Sequence, residues 1–320
     1  IQDGQDGYGS TCMTGCGLSD LETHEADDPV LFLWRRVVAN SGGPGQFRGG
    51  QALEQAFALA YVDSLGGPAW NSCAEVPAAG FGGGFPGAGS SYYIVRDPNL
   101  RELLARGETP LPERLEGRHE ITPNKVGYMT LHRDDVLVIV GGGGGGLGDP
   151  LLREATTVAD DVGAGWITRE HARAVYGVMV DEHDVLDVAA TELARDALRA
   201  SRIGGVPRRP LRAPASVGVA VVLDAASQRW HCASCAEDLG AAEDNWRTRA
   251  VLRESPIAER YAELGMNVRA RREDPPVVMR EHYCPACAAA LAVDVTVAGS
   301  AMLPAPLLTA PSATPRRALG

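Results

Sequence analysis

The stretch VLVIVGGGGGGLGDPLLRE, residues 136–154, runs from an apolar strand through six consecutive glycines to the start of a helix, and the role of those glycines decides the fold. Val136 to Val140 form a short, mostly β-branched run bounded by Asp134-Asp135 and by glycine, the pattern of a buried strand. Asp149 is placed to cap a helix, and Pro150 falls in its first turn, where a missing N–H costs nothing. Strand, glycine turn and helix N-terminus together make a geometry that can hold a phosphate. Six glycines, however, satisfy a dinucleotide pattern trivially, no G-K-[ST] ending follows, and Asp149 puts a negative charge where the phosphate would sit. The acid that should end a second strand about 20 residues on is missing too, since Asp160 and Asp161 fall on the next helix. The favoured reading is a loop whose glycines let backbones pack closely or adopt positive φ.

Upstream of the run, short strands alternate with glycine turns, at Val30–Val38, Ala56–Val62, Tyr92–Val95, Tyr128–Leu131 and Val136–Val140. Downstream, helices are expected from Pro150 to about Val162, from the N-cap Thr168 to Gly177, and over residues 186–202, where Leu186, Val188, Ala189, Leu193 and Leu198 lie on one face. Residues 203–216, IGGVPRRPLRAPAS, read as a linker. A smaller unit follows over residues 217–298, and residues 299–320 read as a disordered Pro/Ala-rich tail. The expected class is α+β: a glycine-rich, mainly β region and a helical segment over residues 1–202, then a small cysteine-knuckle unit.

The 320 residues are 45% hydrophobic, enough for a sizeable core. A formal net charge of −11 argues against nucleic acid or an anionic membrane surface as the main partner. No apolar run has the length of a membrane span or the form of a signal peptide, so the expected compartment is the cytoplasm. The chain opens on IQDGQDGYGS without methionine, and it is expected to be the C-terminal part of a longer polypeptide.

The strongest chemical signal is the pair of C-x-x-C motifs, Cys232/Cys235 and Cys284/Cys287, separated by 48 residues. A C-x-x-C turn lets two sulfurs point at one ion, and four thiolates satisfy a closed tetrahedral zinc site, which is structural. A redox dithiol and an iron–sulfur cluster are the alternatives. VGVAVVLD before the first pair and LAVDVTV after the second read as the strands that carry them, with a helix from Pro256, capped by Ser255, to Gly265 between. His231, beside Cys232, reads as a solvated histidine.

Weaker candidates surround this centre. Cys12, Cys16 and Cys73 read as small buried hydrophobes, and His24, among four acids, reads as part of a solvated loop. Arg48 and Lys125, beside glycine turns, suit an anionic group or ordinary ion pairs.

Taken together, the motifs resemble the C-terminal half of the hydantoinase B family. DPVLFLWRRVVANSGGPGQFRGG, the turn GGFPG, the strand that starts at Lys125, the GGGGLGDP junction and the helix end VYGV stand in that family's order over about residues 20–200. Residues 217–297, with CASC, NWRTR and YCPAC, resemble the zinc-binding gamma subunit of acetone and acetophenone carboxylases. The resemblance implies part of the B-type (alpha) subunit of an ATP-dependent, biotin-independent ketone carboxylase. In that chemistry a ketone is activated as its enol phosphate and bicarbonate as carboxyphosphate, and a C–C bond forms to give a β-keto acid. Phosphorylation makes both partners reactive, and a divalent cation offsets the added charge. ATP with Mg2+ or Mn2+ is expected mainly on a hydantoinase A-type ATPase subunit. This chain has no Walker motif and no biotinyl-lysine motif, in accord with that division. Hydrolysis of a cyclic amide by a hydantoinase or 5-oxoprolinase is the alternative, and a non-catalytic, zinc-stapled assembly scaffold is another. The resemblance places the family's catalytic histidines and acids upstream, so no catalytic residue is assigned in this chain.

Overall fold

A computed structural model describes residues 2–7, 20–70, 72–122, 125–269 and 274–304. The first part comprises α1 (Leu21–Asp27), β1 (Val30–Val37), β2 (Leu53–Leu59), β3 (Ser64–Trp70), β4 (Ser91–Arg96), α2 (Leu100–Ala105), β5 (Arg118–Ile121), β6 (Lys125–His132) and β7 (Val136–Val140). Five of these strands form an antiparallel sheet in the order β1-β2-β7-β4-β5, and β3 and β6 pair as a separate two-stranded arm. The class is α+β, as expected.

β7 is apolar throughout because both faces of the sheet are covered. Val136 and Val138 point into a cluster with Trp34, Ala56, Val95, Leu100 and Leu103, whereas Leu137 and the half-buried Ile139 join Leu59, Ile94 and Leu131 on the other side. β2 begins three residues before its expected start, because the register pairs Leu53 with Val37 and Leu59 with Val30.

Past β7 the glycines become a packing surface. The N–H groups of Gly141, Gly143, Gly144, Gly146 and Gly148 donate to the carbonyls of Leu53, Ala88, Gly50, Phe85 and Phe81 at 2.8–3.0 Å. Three glycine-rich segments, around residues 42–50, 80–89 and 141–148, thus lie backbone against backbone as a floor. At Gly143 an added Cβ would sit 1.7 Å from the carbonyl oxygen of Ser41, so only glycine allows this approach.

The helical segment departs from its sequence pattern at one place. The expected helix from Pro150 is a 3-10 turn (Pro150–Leu152) followed by α3 (Ala155–Gly163), with Arg153 extended between them. That break turns the Arg153 guanidinium inward to Asp3 and Asp161, at 2.6–2.7 Å. Thr168 caps the next helix as expected, through the His171 N–H at 3.2 Å. This helix, α4 (Arg169–His171), continues as a π turn (Ala172–Tyr176) to Gly177. A short ladder of β8 (Met179–Val180) and β9 (Leu186–Asp187) leads into α5 (Val188–Ile203). Val188 and Leu193, expected on the buried face of α5, are 61% and 74% exposed. Its inward face carries Thr191, Arg195, Arg199 and Arg202 instead, because it packs on backbone carbonyls.

Two three-stranded sheets complete the chain: β10 (Val221–Asp224), β11 (Arg229–Cys232) and β12 (Asp238–Ala241), then β13 (Val251–Pro256), β14 (Val277–Tyr283) and β15 (Ala290–Val297). Between β13 and β14 lies α6 (Ile257–Glu263). Ser255 does not cap it, since it belongs to β13 and pairs with Met279. Residues 203–216 run along the knuckles: the N–H groups of Arg208 and Arg209 donate to Ala286 O at 2.8 and 3.0 Å. The largest apolar cluster joins Phe85, Val158, Val175 and Tyr176 to Ile257, Tyr261, Met279 and Val293, so the glycine-rich and cysteine-bearing parts share one core. Of the expected tail, Ser300, Leu303 and Pro304 accept hydrogen bonds from Arg280, Asn245 and Arg247, and residues 305–320 lie outside the described residues.

Candidate metal centre

The two C-x-x-C turns are built alike. Cys232 ends β11, and Cys284 follows β14. In the first turn the Ala236 N–H donates to Cys232 O at 2.8 Å and the Cys232 N–H to Glu237 O at 2.9 Å. In the second, Ala288 and Cys284 repeat the pattern with Cys284 O and Ala289 O, both at 2.9 Å. The residue after each pair, Ala236 or Ala288, takes a left-handed φ of 58° or 62°, which closes the turn.

This local geometry brings the four sulfurs within 4.8 Å of one another, the only such group of potential ligands among the described residues. Cys232 Sγ lies 3.8 Å from Cys287 Sγ, and Cys235 Sγ 3.7 Å from Cys284 Sγ. These separations are far too long for disulfides. They match the edge, about 3.8 Å, of a sulfur tetrahedron around an ion bound at about 2.3 Å. The residues present therefore fit one metal ion. Cys232, Cys284 and Cys287 are buried among Trp230, Leu239, Trp246 and Leu291, and Cys235 is half-buried.

Crowding of the thiols splits their acidities. Hydrogen bonds from Cys232 and Cys287 draw the Cys284 thiol well below the usual thiol range, whereas the bond shared with Cys284 pushes Cys232 up. Cys287 is raised through its contacts with Cys232 and Cys284. A metal must displace the remaining protons, so its hold weakens in acid.

Behind the second turn, α5 supplies a stripe of arginines. Arg199 Nε donates to Cys287 O at 3.3 Å, and Arg202 Nη1 to Ala288 O at 3.0 Å. Arg202 also grips Asp149 with both terminal nitrogens, at 2.8 and 2.9 Å, and lies over the Tyr283 ring. Asp149, 3% exposed, in turn accepts from the N–H groups of Leu151 at 2.9 Å and Ala290 at 2.7 Å. Its role as a cap was legible, but its link to the knuckle was not. The spacing Arg195, Arg199, Arg202 on one helix was the available signal.

The other candidates scatter. Arg48, 6% exposed, pairs with Asp6 at 2.6 Å and stacks over Trp166. It lines a cleft of about 390 Å³ together with Gly50, Gln51, Gly144 and Gly145. Burial pushes the Asp3 and Asp6 carboxyls up, but the hydrogen bonds of Arg153 and Arg48 outweigh it and hold both below the usual range. His24 stands on α1, not in a loop, with Nδ1 3.2 Å from Asp28. Cys73 is exposed, not buried, and His231 stands outside the sulfur group. Lys125 begins β6, whereas Cys12 and Cys16 lie outside the described residues. No helix among the described residues is long and apolar enough to cross a membrane.

Residues 1–150 match the family model for hydantoinase B/oxoprolinase, and residues 211–304 match that for the acetone carboxylase gamma subunit. The acetone carboxylase alpha subunit of Xanthobacter autotrophicus is 28% identical over 231 residues, covering 63% of this chain and 28% of the relative. Caprolactamase subunit beta of Pseudomonas jessenii is 30% identical over 197 residues, covering 61% of this chain and 31% of the relative. The acetophenone carboxylase delta subunit of Aromatoleum aromaticum is 30% identical over 224 residues, covering 64% and 32%. The chain therefore spans about a third or less of the length of these relatives. Among solved structures, nucleotide-free acetone carboxylase is similar at 26% identity and a TM-score of 0.48, covering 64% of this chain and 30% of that one.

Proposed function

From a chain that carries a hydantoinase B/oxoprolinase domain over residues 1–150 and an acetone carboxylase gamma subunit domain over residues 211–304, we propose part of the B-type (alpha) subunit of an ATP-dependent ketone carboxylase. The observation that carries this reading is the presence of both regions in one chain. Hydantoinase B regions serve ring-opening enzymes as well, whereas the gamma-type region points to carboxylation of a ketone. The substrates on this reading are a small ketone and bicarbonate, the product is a β-keto acid, and the compartment is the cytoplasm. ATP and its Mg2+ or Mn2+ bind mainly on a hydantoinase A-type partner subunit.

Within this chain, Cys232, Cys235, Cys284 and Cys287 hold one Zn2+. A four-thiolate site leaves no open coordination position, so the ion's role is to fix the fold. The glycine floor is a packing element: the N–H groups of Gly141, Gly143, Gly144, Gly146 and Gly148 and the Asp149 carboxylate are already engaged by the protein, which leaves the junction poorly suited to a phosphate.

The test is ATP hydrolysis by the chain assembled with its ATPase partner. Hydrolysis should require ketone and bicarbonate together and yield a β-keto acid. The likeness to a caprolactamase subunit supports a second reading, opening of a cyclic amide. ATP consumption with a lactam and without bicarbonate would establish that reading in place of the first. Elemental analysis should find one zinc per chain, and Cys284→Ser should abolish it. If Cys284→Ser breaks subunit assembly and leaves ketone binding by the remainder intact, a scaffold role gains.

A further inference from the structure

The second cysteine turn touches the glycine floor at two places, both at its exit residue Ala290. At one, Asp149 ends the glycine run and is held by Ala290 N–H and by Arg202, which also holds Ala288 O. At the other, Gly83 lies against the turn's exit strand, where an added Cβ would be 2.1 Å from Ala290 O. The turn cannot shift without taking the Ala290 N–H and the Ala288 carbonyl away from a buried carboxylate and its arginine. Asp149 would then keep a charge short of donors in the interior, which is strongly unfavourable.

We infer that Asp149 and Arg202 are positioning residues that couple metal occupancy of the four cysteines to the order of the glycine floor. The inference rests on the metal reading proposed above and deepens it: the ion fixes a surface formed largely by the other end of the chain. With metal bound, the second turn presents Ala288 O and Ala290 N–H in register with Arg202 and Asp149, and residues 141–148 stay paired. Without it, the turn loosens and the floor follows.

Hydrogen–deuterium exchange on the full chain, zinc-loaded and then stripped with chelator under reducing conditions, tests this coupling. Stripping should speed exchange about tenfold or more in peptides covering Gly143–Gly148 as well as Cys284–Ala290, with Val136–Val140 of β7 unchanged. In Asp149→Asn and Arg202→Met the floor should exchange fast whether or not metal is present, with metal content still one per chain. Faster exchange confined to Cys284–Ala290 would overturn the coupling and leave the metal reading intact. Equal acceleration of β7 would also overturn it, since that is global unfolding, and so would a floor in Asp149→Asn that still responds to metal. Failure of the chain to take up zinc at all would remove the metal reading itself, and the coupling with it.

Discussion

A methyl group at Gly143 would meet the Ser41 carbonyl at 1.7 Å, whereas at the neighbouring Gly142 the nearest atom would be 3.5 Å away. Gly143→Ala should therefore destabilise the chain by about 3 kcal/mol or more, because the obstacle is backbone and cannot rotate aside. Gly142→Ala should stay within about 1 kcal/mol of the parent. Urea unfolding of the two variants checks the pair, and equal effects would dismiss close packing as the reason for the glycine run. His171 gives a residue-scale dependence on pH. It is 1% exposed, with Nδ1 2.6 Å from Leu264 O, and burial lowers its pKa to about 4. The folded pKa lies below the unfolded value of 6.5, so between pH 6.5 and 4 the unfolded chain binds a proton that the folded chain refuses. Stability should fall with acid across that window by about 3 kcal/mol from this group. His171→Asn should be less stable at pH 7 but lose that share of the slope, measured as unfolding free energy at several pH values. Any acid loss of a bound metal would be common to both proteins and drop out of the difference.

At the scale of elements, α5 shows what periodicity does and does not reveal. Its existence was legible in residues 186–202, and Asp187 caps it through Ala190 N–H at 2.9 Å. Its buried face was not, because Val188 and Leu193 of the apolar stripe point outward and the helix turns arginines toward the carbonyls of the second knuckle. Apolar periodicity reports a face that avoids water in isolation, whereas here the neighbour is a row of backbone acceptors. Arg199→Ala removes donors to Cys287 O and Arg209 O and should lower stability by about 1–2 kcal/mol. Leu193→Ala, on the exposed side, should change it by no more than about 0.5 kcal/mol. Thermal unfolding of both variants decides between the two faces. The knuckles were the most legible part, since spacing alone named the four cysteines that the fold brings together. The left-handed Ala236 and Ala288 were hidden, because alanine carries no signal for positive φ. Ala236→Gly or Ala288→Gly should relieve strain of about 1 kcal/mol, offset in part by the greater freedom of glycine in the unfolded chain.

For the whole molecule, the sequence suggests two units joined by a linker, and the packing joins them into one. A linker reading follows from Gly, Pro and Arg without periodicity, but composition cannot show that Arg208 and Arg209 lie along Ala286 or that Tyr261 reaches 2.7 Å from Gly87 O. Apolar residues announce that they will be buried without saying against what. Here Phe85, Val158, Val175 and Tyr176 are covered by Ile257, Tyr261, Met279 and Val293. A chain ended after Ile203 would uncover one side of the first set, which would then pack only on neighbours such as Val162, Ile167, Ala172 and Val178. Burial of such side chains is worth about 1.5–3 kcal/mol each, so several lost together rival the whole stability of a domain. Residues 1–203 alone should therefore show no cooperative unfolding transition and should bind a hydrophobic dye such as ANS, whereas the full chain unfolds in one step. Calorimetry of both would check this. A truncated chain that unfolds cooperatively at the parent's midpoint would mean that the cysteine-bearing part rests on the rest of the molecule without holding it up.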